Sequence, residues 1–181
     1  MASAKGTARQ ILRSRNPGTG ITGLPGRQVK QGCAVNRINL ICLGVRDIKK
    51  SLAFYKNIGF KTYEKADQPV VVFFDNQGSK LELYPLEELA RDIDAENPPP
   101  LSQGGFAGMT LACNMKSREE VDVFMKMVQE HGGVIAKQPR DVFWGGYSGY
   151  FRDPDGYYWE VAYGPDWKFD AQDMLRIEDA D

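Results

Sequence analysis

With 181 residues, 42% hydrophobic and 26% charged, the chain has the composition of a globular protein of one domain, or of two small halves sharing a core. Its longest apolar runs, such as "VVVFF" at residues 70–74, are too short for a transmembrane helix. The net charge of −1 hides an asymmetry: residues 1–37 hold seven basic residues and no acidic one, leaving 16 basic against 24 acidic residues in the rest. An acidic body argues against nucleic acid as the main partner.

Three widely spaced cysteines (Cys33, Cys42, Cys113) without a CxxC pair exclude a disulfide framework and a cysteine zinc site, and suit a reducing, cytoplasmic location. Residues 1–36 read as a basic, Gly/Pro-rich flexible segment, with a transit peptide as the alternative.

The first strand is "INLICLGV", followed by a helix over "RDIKKSLAFYKNIGF" that Asp47 caps and Gly59 ends, with Ile48, Leu52 and Tyr55 as its buried stripe. Strands are expected at "KTYEK", "PVVVFFD" and "SKLELYP". The polar segment 87–104, with three consecutive prolines, reads as a crossing loop. A second set follows. "GMTLACNM" is a strand, and Ser117-x-x-Glu120 is a capping box. Val121, Phe124, Met125 and Val128 form the stripe of the helix it opens. "VIAKQP", "GGYSGYF" and "YYWEVAY" are further strands. The chain thus repeats strand–helix–strand–strand–strand, over 37–86 and 105–165, and residues 166–181 form an acidic tail, loose or briefly helical.

The two last hairpins match closely. Asp75-Asn-Gln-Gly78 parallels Asp153-Pro-Asp-Gly156, and a glutamate stands four residues after each glycine: Glu82 and Glu160. Alternation of side chains along a strand puts Lys80, Glu82 and Tyr84, and Tyr158, Glu160 and Ala162, on the faces turned away from the helices. Four-residue turns would add Val71 and Phe73, and Gly149 and Phe151, to those same faces. Trp144 and Tyr147 in the Gly-rich loop are placed to close over one end. For each glutamate the alternative is a solvated sheet residue, Glu82 paired with Lys80 or an arginine. His131, the only histidine, reads as a solvated residue at a helix end, and Cys113 as a small core thiol.

"LGVRDIKKSLAFYKNIGF" and "FRDPDGYYWEV" resemble the first strand–helix and the C-terminal hairpin of the vicinal oxygen chelate superfamily, which holds glyoxalase I, bleomycin-resistance proteins and extradiol dioxygenases. The resemblance covers roughly residues 37–165. It implies an α+β fold of two tandem βαβββ modules, forming a curled mixed sheet around a central cleft, and a homodimer in many members. It also implies metal ligands at Glu82 and Glu160, with histidine at two first-strand positions. Leu40 and about Gly108 stand there instead, so no cofactor is expected, although a weakly held divalent metal is possible.

Two functions fit. One is a small-molecule-binding protein of the glyoxalase/bleomycin-resistance kind, without the usual four-ligand metal site; an acidic cleft walled by Phe73, Trp144, Tyr147, Phe151 and Tyr158 would suit a cationic, planar ligand. The other is a lyase or isomerase in which Glu160 is the general base, aided by Glu82, since burial near a second carboxylate raises a carboxyl pKa as a base requires.

Overall fold

A computed structural model describes residues 36–102 and 104–177. The basic segment expected over 1–36 lies, except for Asn36, outside the described residues, as do Cys33 and residues 178–181. The body that begins at Leu40 is α+β and holds two separate sheets. The first contains β1 (Leu40–Val45), β2 (Val72–Phe74) and β3 (Lys80–Pro85) in the order β1-β3-β2. The second contains β4 (Thr110–Met115), β5 (Val134–Asp141), β6 (Tyr147–Arg152) and β7 (Tyr158–Tyr163) in the order β4-β7-β6-β5. The first and last strand of each module pair in parallel, β1 with β3 and β4 with β7, and the hairpins are antiparallel.

Helix α1 (Ile48–Asn57) starts where Asp47 accepts the Lys50 N–H at 3.0 Å, and it stops before Gly59, whose φ of 100° suits glycine alone. Helix α2 (Leu86–Ile93) follows β3 directly. Helix α3 (Arg118–Glu130) opens at Ser117, which accepts the Glu120 N–H, while Glu120 accepts the Lys116 N–H at 2.8 Å. One core joins the modules: Leu43, Leu52, Leu81 and Leu83 from the first, Val121, Phe151, Trp159 and Val161 from the second. Tyr55 of α1 lies at its centre, 5.9 Å from the Trp159 ring and fully buried.

The β6–β7 turn is a clamp between the halves. Asp153, 4% exposed, accepts the Tyr55 hydroxyl at 2.5 Å and the N–H groups of Asp155 and Tyr157. Asp155 accepts the Arg46 N–H at 2.8 Å and the Ser51 hydroxyl at 2.5 Å, and Tyr157 donates to the Gly44 carbonyl. Among the described residues the equivalent turn in the first module makes no such bridge through its aspartate. Asp75 instead pairs with Lys80 at 2.7 Å, which holds its carboxyl below the usual range.

Three elements differ from the sequence expectation. "KTYEK" contributes one isolated bridge, Thr62 to Phe74, because side chains capture its backbone: the Thr62 hydroxyl donates to Phe73 O and accepts from Glu64 N, and Glu64 accepts the N–H groups of Lys65 and Ala66. The first sheet therefore has three strands. Segment 87–104 is not loop throughout, since it begins inside α2, whose Leu86 and Leu89 pack on β1. The tail is neither loose nor helical over 166–177. Phe169 bridges Leu175, Asp170 accepts the N–H groups of Gln172 and Met174, and Asp173 pairs with Lys116.

Candidate functional site

Register assigns every candidate side chain to a face. In the first sheet Cys42, Glu82 and Phe73 lie side by side across the strands, and in the second Ala112, Glu160 and Tyr150 do so. The two glutamates thus occupy equivalent places, each on the face of its sheet away from the shared core. Their surroundings differ. Gly44, next on the Glu82 face, is covered by α2: a Cβ there would stand 2.6 Å from Leu86 Cδ1 and 3.2 Å from Leu89 Cδ2. On the same face Glu82 is 4% exposed, and the neighbouring Tyr84 phenol is raised by burial, then by Asp92, Glu88 and Glu82. Among the described residues no helix covers the Glu160 face in this way, and Glu160 is half-buried.

The hairpin β6–β7 corrects the placing of Phe151. Arg152 pairs with Tyr158, and the Asp153 N–H donates to Tyr157 O, so the connection is one residue longer than the four-residue turn expected. A shift of one residue exchanges the faces. Phe151 therefore stands opposite Trp159, stacked at 6.0 Å in the core, and Tyr150 takes the place beside Glu160. Tyr147 shares the Phe151 side: its hydroxyl donates to Asp122 of α3 at 2.9 Å, and the Arg118 guanidinium lies 5.1 Å over its ring. In the first sheet Phe73 lies opposite Glu82, as alternation requires.

Sequence reasoning missed several residues of the Glu160 face. Tyr150 stands opposite Glu160 on β6, and its phenol is raised by burial first and by that carboxylate second, so it keeps its proton well into alkaline pH. Lys137 stands opposite Tyr150 on β5; its ammonium donates to the Ser148 hydroxyl at 3.1 Å and lies 5.3 Å over the Tyr150 ring. Ser148, 1% exposed, pairs with Ala162. Tyr158 is on this face too, with Phe106 edge-on at 5.6 Å and the Arg152 guanidinium 6.0 Å over its ring. At the other end Trp144 and Trp167 stack at 5.6 Å. They lie against Gly146 and Gly164, where a Cβ would stand 1.8 Å and 2.6 Å from the rings. These glycines continue the alternation of Ser148–Ala162 by one step, so the tryptophan pair walls one end of the Glu160 face.

Gly149, on the opposite side, lets β5 approach: a Cβ there would meet Lys137 O at 2.9 Å and Pro139 N at 3.0 Å, both backbone atoms. Gly149→Ala is expected to cost about 1–3 kcal/mol by overpacking, measured by denaturant unfolding, and an unchanged midpoint would show that β5 yields freely.

The remaining candidates are placed as follows. Leu40 begins β1 opposite Lys80; Gly108 precedes β4 with φ 75°. The first-strand residues beside the glutamates are Cys42 and Ala112. Cys113 faces the core, where burial pushes its thiol up to about 12. His131 caps the end of α3 and is exposed.

The chemistry of this donor set does not match a divalent metal. Glu160 has a phenol, a serine, an alanine and an ammonium around it, and neither a second carboxylate nor an imidazole on its row. Among the described residues no three His, Cys, Asp or Glu side chains gather as a metal would need. A separate cavity of about 1020 Å³ runs along the free edge of β4, between Phe60, Leu81, Leu111, Cys113 and Trp159 and the loop 75–79. On its rim Asp75 pairs with Lys80, Lys61, Tyr63 and Asp173 line it as well, and burial raises the thiol of Cys113.

Two modules of a strand, a helix and a closing hairpin, each with a glutamate on its last strand, define a double-module, glyoxalase-type fold. The chain belongs to the Glyoxalase/Bleomycin resistance protein/Dioxygenase superfamily, whose family model matches residues 37–161. It is similar to a glyoxalase-related enzyme from Fulvimarina pelagi (27% identity, 79% of this chain and 99% of that one, TM-score 0.70). It is also similar to a lactoylglutathione lyase from Agrobacterium tumefaciens (26% identity, 76% and 100%, TM-score 0.55). A hypothetical protein from S. aureus shares the fold at 22% identity (72% and 95%, TM-score 0.60). No curated protein matches the chain. Among the described residues no helix is long and apolar enough to cross a membrane.

Proposed function

We propose that the Glu160 face of the second sheet binds a small carbonyl compound and that Glu160 moves a proton at the carbon beside the carbonyl, as a lyase or isomerase does. The observation that carries this is the row Glu160–Tyr150, a half-buried carboxylate beside a phenol that stays protonated, on a face walled by aromatic rings. Glu160 takes the proton, the C–H electron pair moves into the carbonyl, and the resulting enolate oxygen is met by the protonated donors of the same face. Reprotonation at either position releases product. The kinship with a glyoxalase-related enzyme and a lactoylglutathione lyase supports this class of chemistry. Lys137 and Arg152 on the same face, and the burial of Glu82, speak against a cationic planar ligand.

The test is exchange of carbon-bound hydrogen for deuterium in heavy water, followed by proton NMR with small carbonyl compounds as probes. The full chain is expected to catalyse exchange, and to keep its rate after exhaustive treatment with EDTA. Loss on chelation and return with zinc, nickel or manganese would overturn the metal-independent part of the reading. Absence of exchange above the blank would overturn the whole.

A further inference from the structure

We propose that the compound bound on this face carries a carboxylate and that Lys137 is its seat; the proposal rests on Glu160 being the base and names the substrate class of the same site. Register places Lys137, Tyr150 and Glu160 in one line across β5, β6 and β7. Strands about 4.8 Å apart put the first and last Cα of that line about 10 Å apart. The lysine leans over the Tyr150 ring toward Ser148, so its ammonium stands above β6, between its own strand and the base.

The aim of Lys137 comes from a bulge. Ile135 pairs with Phe151 and Lys137 with Tyr150, so Ala136 is an extra residue on β5. In a regular ladder Ala136 would stand opposite Tyr150 and Lys137 would be turned to the α3 side. Bulges that re-aim a side chain are characteristic of functional edges. The ammonium so delivered is half-buried and uses one of its three donors on Ser148; among the described residues no carboxylate pairs with it. A cation held by a hydroxyl and a ring face, with donors to spare and a base one strand beyond, fits an anion bonded close to an acidic carbon. A 2-oxo carboxylate has that form. Its carboxylate meets Lys137, its carbonyl oxygen the donors above β6, and its C3 proton Glu160. Proton transfer needs no further reactant: the C3–H pair becomes the enol double bond, the carbonyl oxygen takes the charge, and Glu160 holds the proton.

The experiment follows deuterium exchange at C3 of 2-oxobutanoate and of its methyl ester, for the full chain and for Lys137→Met, Lys137→Arg and Glu160→Gln. The wild type is expected to prefer the acid by about 10- to 100-fold in kcat/KM, the range of one charge-assisted contact. Lys137→Met should erase that preference through KM rather than kcat, and Lys137→Arg should restore part of it. Equal handling of acid and ester by the wild type, with exchange still abolished in Glu160→Gln, would overturn the carboxylate seat and leave the base in place. No exchange of either probe by the wild type would overturn both. Should Lys137→Met fail to fold, the acid-to-ester ratio of the wild type and of Lys137→Arg still decides.

Discussion

Replacing Asp153 by alanine is expected to lower stability by about 3 kcal/mol, and the melting temperature of a chain this size by about 6–12 °C. Asp153 is nearly inaccessible and satisfies three donors, the Tyr55 hydroxyl and the N–H groups of Asp155 and Tyr157. Alanine leaves the Tyr55 hydroxyl buried without its acceptor at the centre of the core, and unties the turn that holds Arg46 and Ser51 through Asp155. Tyr55→Phe, which removes the donor instead, should cost less. The charge also sets a direction with pH. Burial raises the Asp153 carboxyl above its ordinary value, against the pull of its three donors. Ionising it in the folded chain therefore costs stability at neutral pH, and that cost is relieved as pH falls through the folded pKa toward the unfolded one. Asp153→Asn lacks this component. The wild type should gain on the asparagine variant from neutral to mildly acidic pH, as read from denaturant midpoints; a difference that shrinks would contradict the assignment.

Glu160→Gln is expected to lower proton exchange by about 10²- to 10⁴-fold, the usual worth of a positioned general base. The amide has the shape of the acid and retains an oxygen for Tyr150, so the fold should hold and the loss should fall on kcat. Tyr150→Phe should reduce exchange less, because it releases the orientation of Glu160 without removing the base, and it should alter the pH profile. A Glu160→Gln chain that exchanges protons at the wild-type rate, with the same melting temperature, would remove Glu160 from the chemistry.

Most of the fold could be read from single residues. Asp47 and Ser117 cap the helices, Gly59 and Gly132 end them, and the hydrophobic stripes face the core as their spacing requires. That Glu160 lies on the face turned away from the helices was legible, because alternation within one strand needs no partner. What crossed between strands was less so. Tyr157 lengthens the connection after Arg152 by one position, which moves Phe151 into the core and Tyr150 beside Glu160. The bulge at Ala136 turns Lys137 the same way, and no local signal marks it, since it depends on how β5 meets β6 over Gly149. Helix α2 had a signal in the spacing of Leu86, Leu89 and Ala90, which the surrounding charges concealed; its packing on Gly44 gives the first sheet a cover there. Trp167 stacks on Trp144 from beyond β7, a pairing only the closed hairpin creates.

Under the proposed function, the ligand is expected on the Glu160 face and not in the cavity along the edge of β4. Amide chemical-shift mapping of the isotope-labelled chain during titration with 2-oxobutanoate tests this directly. The largest shifts are expected at Lys137, Ser148, Tyr150 and Glu160. Shifts confined to residues 59–63, 75–81 and 172–175 would contradict it.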